Sequence, residues 1–232
     1  MASLTAALQS SVGRKILTGI TGIFLVIFLV VHLAGNLTLF APDQGESFNL
    51  YAQFLHDLGP LLWIAEIILV VLFLLHAYIG ISIYLRRKKA RPENYHLYKS
   101  QGGPSKQNFA SKSMAVTGVV LLIFVVLHIL HFKYQAFSPE TYYTTINGEE
   151  VKDLTRHVVE AFQNIWVVLP YTSVMLIVGV HLKHRVWSAF ISLGAGNPKK
   201  TAVLYTIGTI VAVLLSLGFL FIPIYIYLNG GV

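Results

Sequence analysis

Residues 15–40, KILTGITGIFLVIFLVVHLAGNLTLF, decide the fold: beyond Lys15 the stretch holds no charged residue. A helix needs about 20 apolar residues to cross a bilayer, and this run has them. His32 interrupts it. An ionisable side chain inside a membrane span is costly, so it is read first as part of a functional site. Four more apolar stretches follow, at roughly 61–85, 113–136, 165–190 and 202–228, and three of them carry a histidine: His76, His128 and His181. Neutral imidazole is a common axial ligand of haem iron. One ligand on each of four helices makes two pairs, which points to two haems and a path for electrons through the bilayer.

Composition agrees. Of 232 residues, 55% are hydrophobic and 12% charged, and the mean hydropathy is +0.67. The links between spans are too short for a separate soluble domain. The expectation is therefore an all-α integral membrane bundle of five transmembrane helices, one domain over residues 1–232. The chain has no cysteine, which excludes disulfides, iron–sulfur clusters and thiol catalysis within it. The opening MASLTAALQSSVGRK lacks the early basic region and short apolar core of a secretory signal, so the first span reads as a retained helix.

The net charge of +7 suggests nucleic acid until its distribution is considered. Fourteen of the 17 Lys and Arg fall on one side: Arg14, Lys15, the 86-RRKKAR-91 run, Lys99, Lys106, Lys112, Lys183, Arg185, Lys199 and Lys200. The opposite loops hold most of the acidic residues. This positive-inside pattern places the N-terminus in the cytoplasm and, after five crossings, the C-terminus outside. Lys183 and Arg185 read as basic residues snorkelling to the inner edge.

Breaks in pattern mark the boundaries. The first span ends at 40-FAPDQGES-47, Gly59 and Pro60 precede the second, and Arg86 stops it. Residues 87–112 form the largest cytoplasmic loop. The external stretch 137–163 opens as polar turn sequence, then shows Val151, Leu154, Val158 and Phe162 at the spacing of a short amphipathic helix. Gly194, Gly196 and Pro198 separate the last two spans.

An internal repeat narrows the choice of histidine. The first span reads 21-TGIFLVIFLVVH-32 and the third 117-TGVVLLIFVVLH-128, with Thr-Gly at the same distance before His. Eleven residues make about three helical turns, so each Thr shares a face with its own histidine. The repeat selects His128 over His131. Depth then sets the pairs. His32 lies 17 residues from Lys15 and His128 16 from Lys112, which puts both roughly 25 Å from the cytoplasmic edge. His76 lies ten residues before Arg86, or about 15 Å from that edge, and His181 lies in the inner half of a helix running inward. His32 therefore matches His128, and His76 matches His181, in two stacked bis-histidine sites. A lone intramembrane histidine more often hydrogen-bonds a neighbouring helix; four, matched by depth, favour ligation. Gly80, on the face of His76, suits either a flat ring close to the backbone or close helix packing.

These segments carry a resemblance. SSVGRKILTGITGIFLVIFLVVHLAGNLTLF, LHDLGPLLWIAEIILVVLFLLHAYIGISIY and HLKHRVWSAFISLG resemble the cytochrome b subunit of succinate dehydrogenases and fumarate reductases, in its single-chain, five-helix, dihaem form. The likeness covers essentially the whole chain. It implies two haem b groups, ligated by His32 and His128 (distal) and by His76 and His181 (proximal). It implies membrane quinone, menaquinone first, as redox partner, in a multi-pass protein of a bacterial cytoplasmic membrane. It also implies a flavoprotein carrying FAD and an iron–sulfur protein docked on the cytoplasmic face, with oligomerisation of the whole complex open. One departure stands out. Some dihaem fumarate reductases carry a glutamate just before the fourth ligand, where this chain has Gly179 and Val180, so a dedicated proton path through the membrane is in doubt.

The quinone site is harder to read. Glu66 lies ten residues outward from His76 and could exchange protons with quinol, or sit as a carboxylate favoured by the helix dipole. His56 and Trp63 border the same region and equally suit interfacial placement. Ser11, Arg14 and Lys15 could bind a quinone carbonyl or haem propionates on the inner side, although for the two bases a plain positive-inside anchor is the favoured reading. No nucleophile triad or phosphate loop appears, so succinate chemistry belongs to the partners. The rival readings are a dihaem b anchor of another quinone-linked dehydrogenase and a cofactor-free transporter whose histidines relay protons.

Overall fold

The computed structural model describes residues 10–90, 113–138, 140–195 and 197–232, with the side chains of 198 and 199 outside that description. Most of the 86–112 basic loop, from Arg91 onward, lies outside the described residues.

Five helices are long and apolar enough to cross a membrane: Ser11–Phe40, Pro60–Ala90, Met114–Lys133, Ile165–Ala195 and Lys200–Asn229. Their regular parts are α1 (Ser11–Leu37), α3 (Pro60–Ala90), α4 (Met114–His128), α6 (Ile165–Phe190) and α7 (Pro198–Asn229). Between the first two lies α2 (Glu46–Asp57), and α5 (Leu154–Phe162) precedes α6. Large apolar side chains stay exposed along the long helices, Ile67, Val71 and Leu214 among them. Contiguous exposure of this extent is not tolerated by a water-soluble surface.

Arg86 does not stop the second span. α3 continues to Ala90, because Arg87, Lys88 and Lys89 complement the negative end of the helix dipole. Two further differences fall outside the spans. Residues 46–57, read only as inter-span sequence, form α2, entered through Gly45 at φ 84. The Asp43 carboxylate accepts the N–H groups of Gly45 at 3.1 Å and Ser47 at 3.0 Å, satisfying donors that the new helix leaves free. The polar stretch after 137 folds in part into an antiparallel hairpin, β1 (Tyr143–Ile146) and β2 (Glu149–Lys152). Asn147 and Gly148 turn it, both with positive φ, the backbone that a two-residue hairpin of this hand requires. Val151 therefore belongs to β2, while Leu154, Val158 and Phe162 lie on α5, a helix capped by Asp153. Among the described residues the fold is helical with this one small hairpin.

By its contacts the chain forms two compact units. Unit one comprises Met1–Ile27, Leu69–Val120 and Val178–Leu214; unit two comprises Phe28–Ile68, Leu121–Ile177 and Leu215–Val232. Small residues bring helices together within each. In unit one, a Cβ on Gly208 of α7 would lie 3.0 Å from the Trp187 nitrogen of α6, and one on Gly19 of α1 would lie 3.4 Å from the Ala189 carbonyl oxygen. In unit two, a Cβ on Gly218 of α7 would come within 2.5 Å of Leu33, and one on Gly35 within 2.4 Å of the Tyr51 ring. The unit-two core gathers Leu39, Phe162, Val168, Ile222 and Ile226.

A buried polar clamp joins α2 to α5. Asn49 donates to Asp153 at 3.0 Å and accepts from the Thr155 amide at 2.9 Å, while the Thr155 hydroxyl donates to the Gly45 carbonyl at 2.8 Å. Both Asn49 and Thr155 are buried. Asn49→Ala leaves the Thr155 amide unpaired at a cost of about 1–3 kcal/mol. The expected outcome is faster hydrogen exchange in residues 143–162 with the long helices unchanged, read by mass spectrometry.

Candidate functional site

His76 and His181 both belong to unit one. The His76 Nδ1 on α3 lies 3.1 Å from the Thr21 hydroxyl of α1. The His181 Nδ1 on α6 lies 3.0 Å from the Thr117 hydroxyl of α4. Each threonine is buried and also bonds its own helix. Thr21 donates to Leu17 O at 2.8 Å, and Thr117 lies 3.1 Å from both Ser113 O and Met114 O. The repeated Thr-Gly thus serves a histidine on a neighbouring helix.

The glycine after each threonine makes room for that ring. A Cβ at Gly22 would sit 3.2 Å from His76 Cε1, whereas one at Gly118 would sit 3.7 Å from His181 Cε1, an ordinary contact. Alanine in place of glycine favours a helix by about 1 kcal/mol, so any loss must come from the ring. Gly22→Ala is expected to disturb the His76 ring, and Gly118→Ala to leave the His181 ring in place, as read from the imidazole nitrogen resonances of each variant.

Gly80 takes part in no helix packing among the described residues: a Cβ there would meet nothing within 4 Å. One turn of α6 beyond His181 is rich in donors without acceptors. His184 Nδ1, Arg185 Nε and Trp187 Nε1 are buried and have no hydrogen-bond partner. The His184 and Trp187 rings meet edge to face at 5.5 Å, and Arg185 lies within electrostatic reach of His76, His181 and His184. Buried cations are retained where an anion meets them. Arg14 of α1 donates to the Ser82 hydroxyl of α3 in the same unit.

Unit two holds the other candidate pair. His32 on α1 and His128 on α4 face each other with ring centroids 5.9 Å apart and planes perpendicular. Phe28 stacks on His32 at 5.3 Å, and Phe124 stacks on His128 at 5.6 Å. Each stacking residue lies one helical turn before its histidine, where side chains four apart share a face. His128 Nδ1 is buried and unpartnered.

His131 turns to different work. Its Nδ1 lies 3.2 Å from the Tyr171 hydroxyl on α6. The sequence reading missed the residue that completes this arrangement, His157 on α5, which is 3% exposed. His157 Nε2 donates to the His131 carbonyl at 3.1 Å, and Ser138 bonds its Nδ1 at 3.0 Å. That carbonyl lies in the π-helical turn Ile129–Lys133 that ends the third span. A histidine donor supplied from α5 satisfies it. Only its position, three residues into a helix with Phe162 on the buried face, marked His157 as an inward residue.

The quinone or propionate candidates fall in both units, Ser11, Arg14 and Lys15 in unit one and His56, Trp63 and Glu66 in unit two. Ser11 and Lys15 are exposed, and Arg14 is engaged with Ser82. His56 is exposed, 3.7 Å from Asp57, and Trp63 is 66% exposed. Glu66 forms an ion pair with Lys133 at the end of the third span.

The donors come in twos. Among the described residues no group of three or more His, Asp or Glu is placed to hold a bare metal ion. Two imidazoles suffice for an iron that brings its own ring of nitrogens. The Nδ1-anchored histidines, the space at Gly80 and the orphaned Arg185 and Trp187 donors suit a flat group with an anionic edge, so the residues present fit haem. Comparison with family models, with curated proteins and with solved structures gives no match.

Proposed function

We propose that this chain is a dihaem cytochrome b membrane anchor of a succinate:quinone oxidoreductase. It carries electrons between an iron–sulfur partner on the cytoplasmic face and membrane quinone. The observation that carries the reading is the inner pair of histidines, each with its Nδ1 beside a buried threonine hydroxyl of another helix, His76 also bonding the Thr18 backbone. Metal-bound histidine characteristically has its second nitrogen fixed in this way. The facing His32 and His128 supply a second pair in the other unit. The resemblance of the three quoted segments supports the succinate assignment over another dehydrogenase.

Bound haem supplies one-electron chemistry at low reorganisation. His32 with His128 and His76 with His181 would hold the two groups, Phe28, Phe124 and Phe219 pack around the former pair, and Arg185 would be available to a carboxylate edge. Glu66, paired with Lys133, is the carboxylate available to take or return a proton near unit two's histidines. Oriented aromatic walls and fixed imidazoles limit the rearrangement that accompanies each electron.

A reduced-minus-oxidised visible spectrum of the purified chain tests haem against the transporter reading. The soluble subunits that co-purify test succinate against another substrate. His131→Ala and His184→Ala are expected to retain both low-spin haem signals, because His131 is committed to Tyr171 and His184 follows His181 by three residues, about 60° round the helix. Loss of a haem from His131→Ala, with His128→Ala unaffected, would overturn the choice that the repeat made.

A further inference from the structure

The Thr-Gly step occurs twice, on α1 and on α4, and in both places the threonine reaches a histidine of a different helix. We propose that Thr21 and Thr117 are the positioning residues of the inner haem, holding His76 and His181 in the tautomer whose Nε2 faces the iron; this rests on the dihaem reading above. A hydroxyl has one hydrogen. Thr21 turns it to Leu17 O at 2.8 Å, and Thr117 turns it to the carbonyls of Ser113 and Met114 at 3.1 Å. The oxygen then meets the ring nitrogen as an acceptor, at 3.1 Å for His76 and 3.0 Å for His181. Nδ1 must carry the proton, and the lone pair falls on Nε2.

Two consequences follow for the iron. Each ring is fixed in rotation as well as in tautomer, and accepting its N–H makes each imidazole a stronger donor. A stronger donor favours ferric iron and lowers the haem's potential. Both threonines act on the same haem, so their effects add there and are absent at the His32–His128 site. That site has no equivalent: His128 Nδ1 has no partner. The two hydroxyls thereby hold the potential of this haem below the value it would have without them.

Four variants separate this role from packing. Thr21→Val and Thr117→Val keep the shape and lose the oxygen; Thr21→Ser and Thr117→Ser keep the oxygen and lose the methyl. Redox titration of the purified complex should show the inner haem shifted upward in each valine variant by up to about tenfold in the reduced-to-oxidised ratio, or 59 mV for one electron. Its low-spin electron paramagnetic resonance signal should move with it, and the outer haem should stay in place. The serine variants should titrate as wild type, and the double valine variant should shift further than either. Loss of the inner haem in valine with retention in serine supports the same role. An unshifted valine variant, or a serine variant that shifts or loses haem as valine does, overturns it. Wild-type protein without two b-type signals overturns the parent reading instead, before any variant is compared.

Discussion

If the chain carries the two haems proposed for it, replacing His32 or His128 with alanine is expected to halve the haem content, from two to one, with the surviving signal belonging to the His76–His181 site. His76→Ala and His181→Ala should give the same count with the opposite survivor. The expectation follows from separate placement. His32 and His128 lie in one unit and His76 and His181 in the other, so losing one ligand leaves the other pair's donors in place. A six-coordinate iron that loses one of two protein ligands loses much of its hold, and neither helix offers a substitute: His131 bonds Tyr171, and Thr21 and Thr117 are committed to the inner rings. Pyridine haemochrome assay against protein concentration gives the count, and the spectrum identifies the survivor. Two haems in all four variants would sink the ligand assignment.

Arg185→Leu should lose the inner haem while improving the stability of the haem-free chain. The Arg185 Nε is buried without a hydrogen-bond partner in a partly buried side chain that has no acidic partner among the described residues, and enclosing a charge without a counter-ion is costly. Leucine removes that cost when no anion is present. When one is, the same change strips a buried charge pair of its cation, at about 2–5 kcal/mol. Since 1.4 kcal/mol is about tenfold in affinity, inner-haem retention should fall by well over tenfold. Arg185→Lys should keep part of it, because a point charge replaces a planar donor. Haem retention through size-exclusion chromatography and thermal melting with and without haem measure the two halves. A variant that binds haem normally would show that the guanidinium answers to something else.

The two results bear on what could be read from residues alone. The spans were legible because a run such as 16–40 has no soluble alternative, and the histidines because little else ionisable interrupts those runs. The Thr-Gly repeat was legible as a repeat. Its partner was not legible: His76 and His181 come from other helices, and spacing along one chain carries no information on which helix lies beside it. Arg185 was read as snorkelling because Lys183 and Arg185 sit near a helix end, where either orientation satisfies the same charge count. Local rules existed for the elements that were missed. Asn147-Gly148 between YTTI and EEVK is a hairpin signal, and Phe48, Tyr51 and Leu55 recur at helical spacing within α2. Both lay in short segments that a search for long apolar runs passes over.

The π turn at Ile129–Lys133, where the Tyr134 amide bonds Ile129 O five residues back, puts the chain one residue out of α-helical phase directly after His128. Register beyond that point is therefore a matter of length as well as of identity. Removing a single residue from the turn would rotate everything after it by about 100°. It would carry Lys133 away from Glu66 and draw the His131 carbonyl back into the helix, leaving His157 without its acceptor. His128 itself would stay where it is. Insertions and deletions here would thus re-index the outer cap and spare the histidine, so the two can change independently as the chain diverges.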